Sequence, residues 1–392
     1  MYRMRNVVQP YAWGSRTALA VLRGDESPSP GPEAELWMGA HPLAPSQVEV
    51  DGTHVPLDRL IDAEPGRWLG PEVAERFGGK LPFLMKVLAA AEPLSLQAHP
   101  SRARAEEGLA AEERAAIPLA APHRNYKDAN HKPEILCALD PFEALYGFRD
   151  VARTQALLGA LAVPGLEAVR RRLHDAPASE ALRSAWTWLF GLETGARQAL
   201  VASVVEACGR VPIGWEAEAR WAVRLAALYP GDVGIIVALL MNLVRLAPGE
   251  AIYLPAGNLH AYLEGTGVEL MASSDNVLRG GLTRKHVDVP ELLAVLDFSP
   301  IPPVPLKPLR EGPEWRYPTD AADFRLSRLD AGEGATLSSN GPQILLCTRG
   351  RAVLRGNGSH MDLGPGASAF IPAGAQGLQV SGAGELFRAT VG

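Results

Sequence analysis

The chain has 392 residues, 47% of them hydrophobic, 21% charged and 6% aromatic, with a formal net charge of −6 at pH 7. That composition excludes global disorder, and an acidic balance with no long run of Lys or Arg excludes a basic nucleic-acid-binding stripe. The 39 Gly and 33 Pro exceed average usage and predict a turn-rich, mainly β chain of two or three domains.

Cys137, Cys208 and Cys347 are far apart and form no CxxC pair, so neither a disulfide framework nor a Cys metal site is expected. The first residues lack the apolar core of a secretion signal. The longest apolar stretch, Gly234 to Met241, is too short for the roughly 20 residues of a membrane span. A cytoplasmic protein with no membrane or nucleic-acid partner is expected.

From Met1 to about Arg149, short apolar runs bounded by Gly and Pro, such as Leu81 to Leu88, predict strands. Composition then shifts to Ala, Leu, Arg and Glu. Apolar spacing near 3.6 predicts helices over Thr154–Leu161, Glu180–Leu189, Gln198–Cys208 and Glu216–Leu228. From Pro230 the β texture returns. A pattern L-x-P-G-x-x-x-x-[LI]-P-A-G occurs at Leu246–Gly257 and again at Leu363–Gly374, separated by a Pro-rich segment, Ser299–Pro308. The expected architecture is mainly β: two jelly-roll sandwiches with a helical insertion inside the first. The boundaries read as a discontinuous first jelly roll over 1–149 and 230–300, a helical insertion over 150–229, a linker over 301–318 and a second jelly roll over 319–392.

Four stretches carry residues suited to chemistry. Gln97 and His99 are two apart, hence on one face if Leu94–Pro100 is extended, and need partners if buried. Taken alone they read as hydrogen-bonded core polars. His131-Lys-Pro-Glu134 opens an apolar run, with Pro133 holding Lys132 extended; alone it reads equally as a surface ion pair. His260 follows a Pro-Ala-Gly turn and is, alone, more simply a satisfied core histidine. Together, two His, a Glu and a Gln make a mixed N/O donor set suited to Zn²⁺, with Mn²⁺ or Fe²⁺ as alternatives. The stretch Gly267–Lys285 sets Arg279 and Lys285 beside small residues, a pattern that fits a phosphate dianion as well as it fits a solvated loop.

Six segments, among them Ala34–Pro42, Leu81–Lys86, Leu94–Pro100, Asn130–Glu134, Gly257–Tyr262 and Glu269–Thr283, resemble the type I mannose-6-phosphate isomerases in order and content. The chain departs from them modestly, with Met85 where an aromatic is frequent and Ala98 where Val is usual. The resemblance implies two cupin-type jelly rolls and a zinc-dependent aldose–ketose isomerase converting mannose 6-phosphate to fructose 6-phosphate, serving mannose and GDP-mannose metabolism. It places one Zn²⁺ per chain on Gln97, His99, Glu134 and His260, and gives Arg279 an active-site role. It lines the pocket with Trp13, Lys86, Ser95, Lys132, Tyr262, Glu269, Asp275 and Lys285.

Isomerisation through a cis-enediol needs a base at C1 and C2, for which Glu269 is the first choice and Lys132 the competitor. The second jelly roll, with His360 and Cys347 as its soft ligands, is expected to hold no metal. A cupin oxygenase fits the donor set less well, because it wants two or three His on one facial set. An isomerase for another aldose and a non-catalytic sugar-phosphate sensor are the remaining alternatives. No long amphipathic seam stands out, so a monomer is expected.

Overall fold

The computed structural model describes every residue except Asp175 and Asn357. Two sheet systems and a helical layer are stacked with cores between them. The first system is ten-stranded, running Met241–Leu246, Phe142–Phe148, His260–Ala272, Phe83–Ala90, Glu35–Met38 and Val7–Gln9, with Leu96–Ala98, Leu278–Gly281, Glu134–Ala138 and Ala251–Leu254 branching from it. The second pairs a nine-stranded sheet with a four-stranded one. The two jelly rolls and helical insertion expected from sequence are present in this mainly β arrangement.

Alternation along each strand decides what faces where. In Phe83–Ala90 the residues Phe83, Met85, Val87 and Ala89 join the core shared with the C-terminal half, while Leu88 and Ala90 face the interior of the first barrel. Lys86 has the parity of Leu88 and therefore points inward. Ile135, Cys137, Val268, Leu270, Leu36 and Met38 lie in the same outer core, which leaves Glu134, Glu269, Glu35 and Trp37 on the inner face. On the opposite wall Leu96, Ala98, Ala261 and Leu263 pack outward against the helices, leaving Gln97, His260 and Tyr262 inward.

The strand His260–Ala272 contributes to both walls. Its first part pairs with Leu96–Ala98 and Phe142–Phe148, and its second with Phe83–Ala90 and Glu134–Ala138. A register shift between Tyr262 and Glu264 changes which residues face inward, from His260 and Tyr262 to Gly267, Glu269 and Met271. Gly265 sits at the bend with φ 134°, and a Cβ there would lie 2.8 Å from the Phe142 Cα, so only Gly fits.

The repeated pattern is the same turn in both halves: Gly249 and Gly366 occupy the left-handed region with φ 86° and 77°. Ile344 and Leu346 face the first barrel while Leu345 and Cys347 face the four-stranded sheet, so the run reads as continuously apolar because both faces are covered.

The four predicted helices form as Val151–Leu161, Ala178–Phe190, Thr194–Gly209 and Glu216–Leu228. The first starts early because the Asp150 carboxylate accepts from Arg153 N at 3.0 Å. Further helices lie outside the predicted set. Arg102–Arg114, capped by Ser101, interrupts the β-rich first region, and Glu167–His174 buries Val169 and Leu173. Gly234–Leu240, where β texture was expected, is also helical and wholly buried, so its apolar residues show no one-sided periodicity. The stretch expected as linker contains a short hairpin, Leu309–Glu311 with Glu314–Arg316. The N-terminal strand Tyr2–Arg5 belongs to the nine-stranded sheet of the C-terminal half, paired with Ser368–Ile371 and Gln47–Val50. The three cysteines are free and buried, and among the described residues no helix is long and apolar enough to cross a membrane.

Candidate active site

Inside the first barrel His99, Glu134 and His260 converge, their donor atoms within 4.8 Å of one another and all three side chains buried. His99 Nε2 lies 3.4 Å from Glu134 Oε1, and His260 Nε2 lies 3.5 Å from Oε2. His99 Nδ1 is 2.7 Å from the Asn276 carbonyl and His260 Nδ1 is 3.0 Å from the Asn258 carbonyl. A carbonyl only accepts, so both rings carry their proton on Nδ1 and present a lone pair at Nε2. Those two Nε2 atoms are buried without a hydrogen-bond partner. Lone pairs from two imidazoles thus face a carboxylate with no proton between them, an arrangement that repels itself unless a cation sits among them. The donor types suit Zn²⁺.

Protonation agrees with that reading. Burial, against the pull of Glu134, takes the His99 imidazole down to about 4, so it is neutral at pH 7 as a ligand must be. Burial would raise the Glu134 carboxyl, but the Lys132 ammonium 3.0 Å away outweighs it and holds the group well below the usual range. Gln97 is paired across the ladder with His260 on one side and Arg279 on the other, and opposed residues share a face. The register therefore sets Gln97 in the row that carries His260.

A second buried cluster adjoins the first. Lys86 Nζ lies 3.0 Å from Glu269 Oε2 and 3.5 Å from Glu35 Oε1, and 5.3 Å from the centre of the Trp37 ring. Tyr262 donates its hydroxyl to Glu269 Oε1 at 2.9 Å, and Trp37 Nε1 donates to Glu35 Oε2 at 2.6 Å. Burial opposes the Lys86 charge, but the carboxylates of Glu269 and Glu35 outweigh it and keep the amine protonated. Burial raises the Glu269 carboxyl above its ordinary value even with Lys86 beside it. Two carboxylates on one inner face are thus driven apart, Glu134 toward the anion and Glu269 toward the neutral acid. Such a separation suits one carboxylate to ligation and the other to proton transfer.

Around these clusters the remaining predicted residues are less closely tied. Asp275 Oδ1 lies 3.3 Å from His41 Nε2, and burial of Asp275 is outweighed by His41, which lowers its carboxyl. Trp13 is half-buried and stacks on Tyr11 with ring centres 5.8 Å apart, and Ser95 is half-buried beside the strand carrying Gln97. Arg279 is half-buried and Lys285 exposed, and neither side chain has a hydrogen bond or ion pair among the described residues. Burial lowers Arg279, while Arg279 and then burial lower Lys285, so the two cations feel one another. A cavity of about 770 Å³, bordered by His41, Asp275, His131 and Asp323, lies between this rim and the C-terminal half.

Sequence reasoning did not single out Glu35, Trp37, His41, Asp128 or Asn276. The first three stand in the Ala34–Pro42 segment, where Glu35 and Trp37 are two apart, the same signal that marked Gln97 and His99.

Residues 1–151 match the catalytic domain of phosphomannose isomerase type I, and residues 314–391 match the cupin domain of mannose-6-phosphate isomerase. The chain is 42% identical over 393 residues to the mannose-6-phosphate isomerase of Escherichia coli (strain K12), covering 99% of each. Identity to the mannose-6-phosphate isomerase of Bos taurus is 35% over 418 residues, 97% of this chain and 92% of that one. A crystal structure of a phosphomannose isomerase variant from Salmonella typhimurium, 40% identical, matches with a TM-score of 0.94 over 100% of this chain and 99% of that one. A zinc-bound mannose 6-phosphate isomerase, also 40% identical with the same coverage, matches with a TM-score of 0.93. Kinship along nearly the whole length joins the convergence of donors in the first barrel, and the chain belongs to the type I phosphomannose isomerase family.

Proposed function

We propose that the protein is a zinc-dependent aldose–ketose isomerase interconverting mannose 6-phosphate and fructose 6-phosphate. The observation that carries this reading is the convergence of His99, Glu134 and His260 beside a second carboxylate, Glu269, whose proton affinity is raised. Gln97, His99, Glu134 and His260 would hold Zn²⁺, which when bound would supply Lewis acidity at the substrate's carbonyl and hydroxyl oxygens without redox chemistry. Activity in a coupled assay is expected to disappear on chelation and return with Zn²⁺. Zinc binding without conversion of mannose 6-phosphate would instead point to another aldose or to a sensor.

Glu269 takes the proton from C2 of the aldose and returns it to C1 across a cis-enediol. Tyr262 and Lys86 each engage one of its oxygens, which fixes the plane of the carboxylate. Lys132 is the weaker candidate because its ammonium is engaged by Glu134 at 3.0 Å. Trp13, Ser95 and Asp275 border the sugar.

Arg279 and Lys285 raise each other's electrostatic energy, and a phosphate dianion or a developing enediolate relieves it. Kinetics separate the two roles. Arg279→Ala is expected to lower kcat, whereas Lys285→Ala should raise KM with kcat retained. An Arg279→Ala enzyme with native kcat would reassign that residue to simple anchoring.

The domain reading follows the same lines: a discontinuous catalytic jelly roll, a helical insertion, a linker and a C-terminal jelly roll without metal. We also read the protein as a cytoplasmic monomer with no nucleic-acid partner.

A further inference from the structure

The two loops that precede the active-site strands, 127–130 and 273–276, are joined by side chains rather than by a ladder. Asn276, fully buried, accepts at Oδ1 from Lys127 N at 2.7 Å and Asp128 N at 3.3 Å. Its Nδ2 donates to the Asp128 carbonyl at 2.8 Å, the Asn130 carbonyl at 2.9 Å and Asp128 Oδ1 at 3.3 Å. Asp128 reciprocates: its carboxylate accepts from Ser274 Oγ and from Asp275 N, both at 2.8 Å, and from Asn130 N at 2.9 Å. Asn130 Nδ2 closes the clasp on the Ser273 carbonyl at 3.1 Å.

One loop leads directly into Lys132 and Glu134. The other leads into Arg279, and its Asn276 carbonyl is the acceptor that fixes the His99 ring. We propose that Asn276, together with Asp128, is a positioning residue for the metal site. The clasp sets the spacing between His99 and Glu134 and keeps the His99 proton on Nδ1. It touches neither substrate nor metal and acts through the residues that do. An amide is required at this position because Asn276 must accept from two backbone N–H groups and donate to two carbonyls at once; Asp could do only the first. The proposal rests on the metal reading above.

The test measures Zn²⁺ affinity by chelator competition on the full chain, with the native protein alongside, and the visible spectrum of the Co²⁺-loaded protein. Asn276→Ala keeps the carbonyl to His99 but frees the loop. It is expected to weaken Zn²⁺ binding 10- to 100-fold and to alter the Co²⁺ spectrum, with native circular dichroism. Should Asn276→Ala fail to fold, Asp128→Asn provides the second variant. It keeps an acceptor for Ser274 while placing an amide against Asp275 N, and about a tenfold weakening is expected. Native affinity and an unchanged spectrum in a folded variant would overturn the proposal. A native protein that itself bound no Zn²⁺ would instead overturn the metal reading on which it rests.

Discussion

Replacing Glu269 by Gln is expected to lower kcat by about 10²- to 10⁴-fold, the usual worth of a positioned general base, while the protein keeps its zinc. The change is nearly isosteric and spares His99, Glu134 and His260, so a large loss cannot be assigned to the metal. It removes the basic oxygens from a residue held by Lys86 at 3.0 Å and Tyr262 at 2.9 Å. Exchange of the substrate's C2 proton with solvent is the direct measurement. A variant exchanging at the native rate would transfer the base role to Lys132. The native enzyme should also show a pH signature. Burial raises the Glu269 carboxyl, and the ionised form is the base. The acid limb of kcat/KM is therefore expected above the ordinary glutamate value of about 4.3, with activity lost as pH falls through it.

The largest effect on stability is expected from Lys86→Met. The methionine fills a similar volume but leaves Glu269 and Glu35 buried without their shared cation. Removing one partner of a buried ion pair costs on the order of 3–5 kcal/mol. The pH dependence has a definite sign. In the native protein Lys86 opposes the rise of the Glu269 carboxyl, so without it that folded-state value moves further up. A carboxyl raised in the folded state favours folding below its unfolded value and opposes it as pH rises through the folded one. The gap in unfolding midpoint between native protein and variant should therefore be larger at pH 8 than at pH 5. A gap independent of pH would mean that lost packing, rather than unpaired charge, sets the cost.

Much of this was legible in the sequence for identifiable reasons. Helices with one buried stripe announced themselves, and Glu216–Leu228 begins and ends where its spacing predicts. Gly234–Leu240 did not, because burial on every side erases the periodicity. His99, Glu134 and His260 were marked by residue type next to turns and strand starts. Their convergence was expected from the joint donor set and the family resemblance rather than from strand pattern, because a register shift at Tyr262–Glu264 decides which residues of the long strand face inward. The partnership of Lys86 with Glu269 was hidden for the same reason, since neither neighbours the other in sequence. Asn276 and Asp128 look like ordinary loop residues, and only the meeting of two distant loops gives them a role.

The pairing of Tyr2–Arg5 with Ser368–Ile371 also has a consequence in time. Tyr2 lies opposite Phe370, so this strand waits for a partner made long after it. At roughly 5–20 residues per second that delay is on the order of 20 to 70 s. The hairpin Gln47–Val50 with Thr53–Pro56 can cover one edge early, through Met4 opposite Val48. The other edge stays open until Ser368–Ile371 has been made. Arg3 and Arg5, exposed on that short strand, put like charges where two copies of the open edge would meet, which disfavours their pairing.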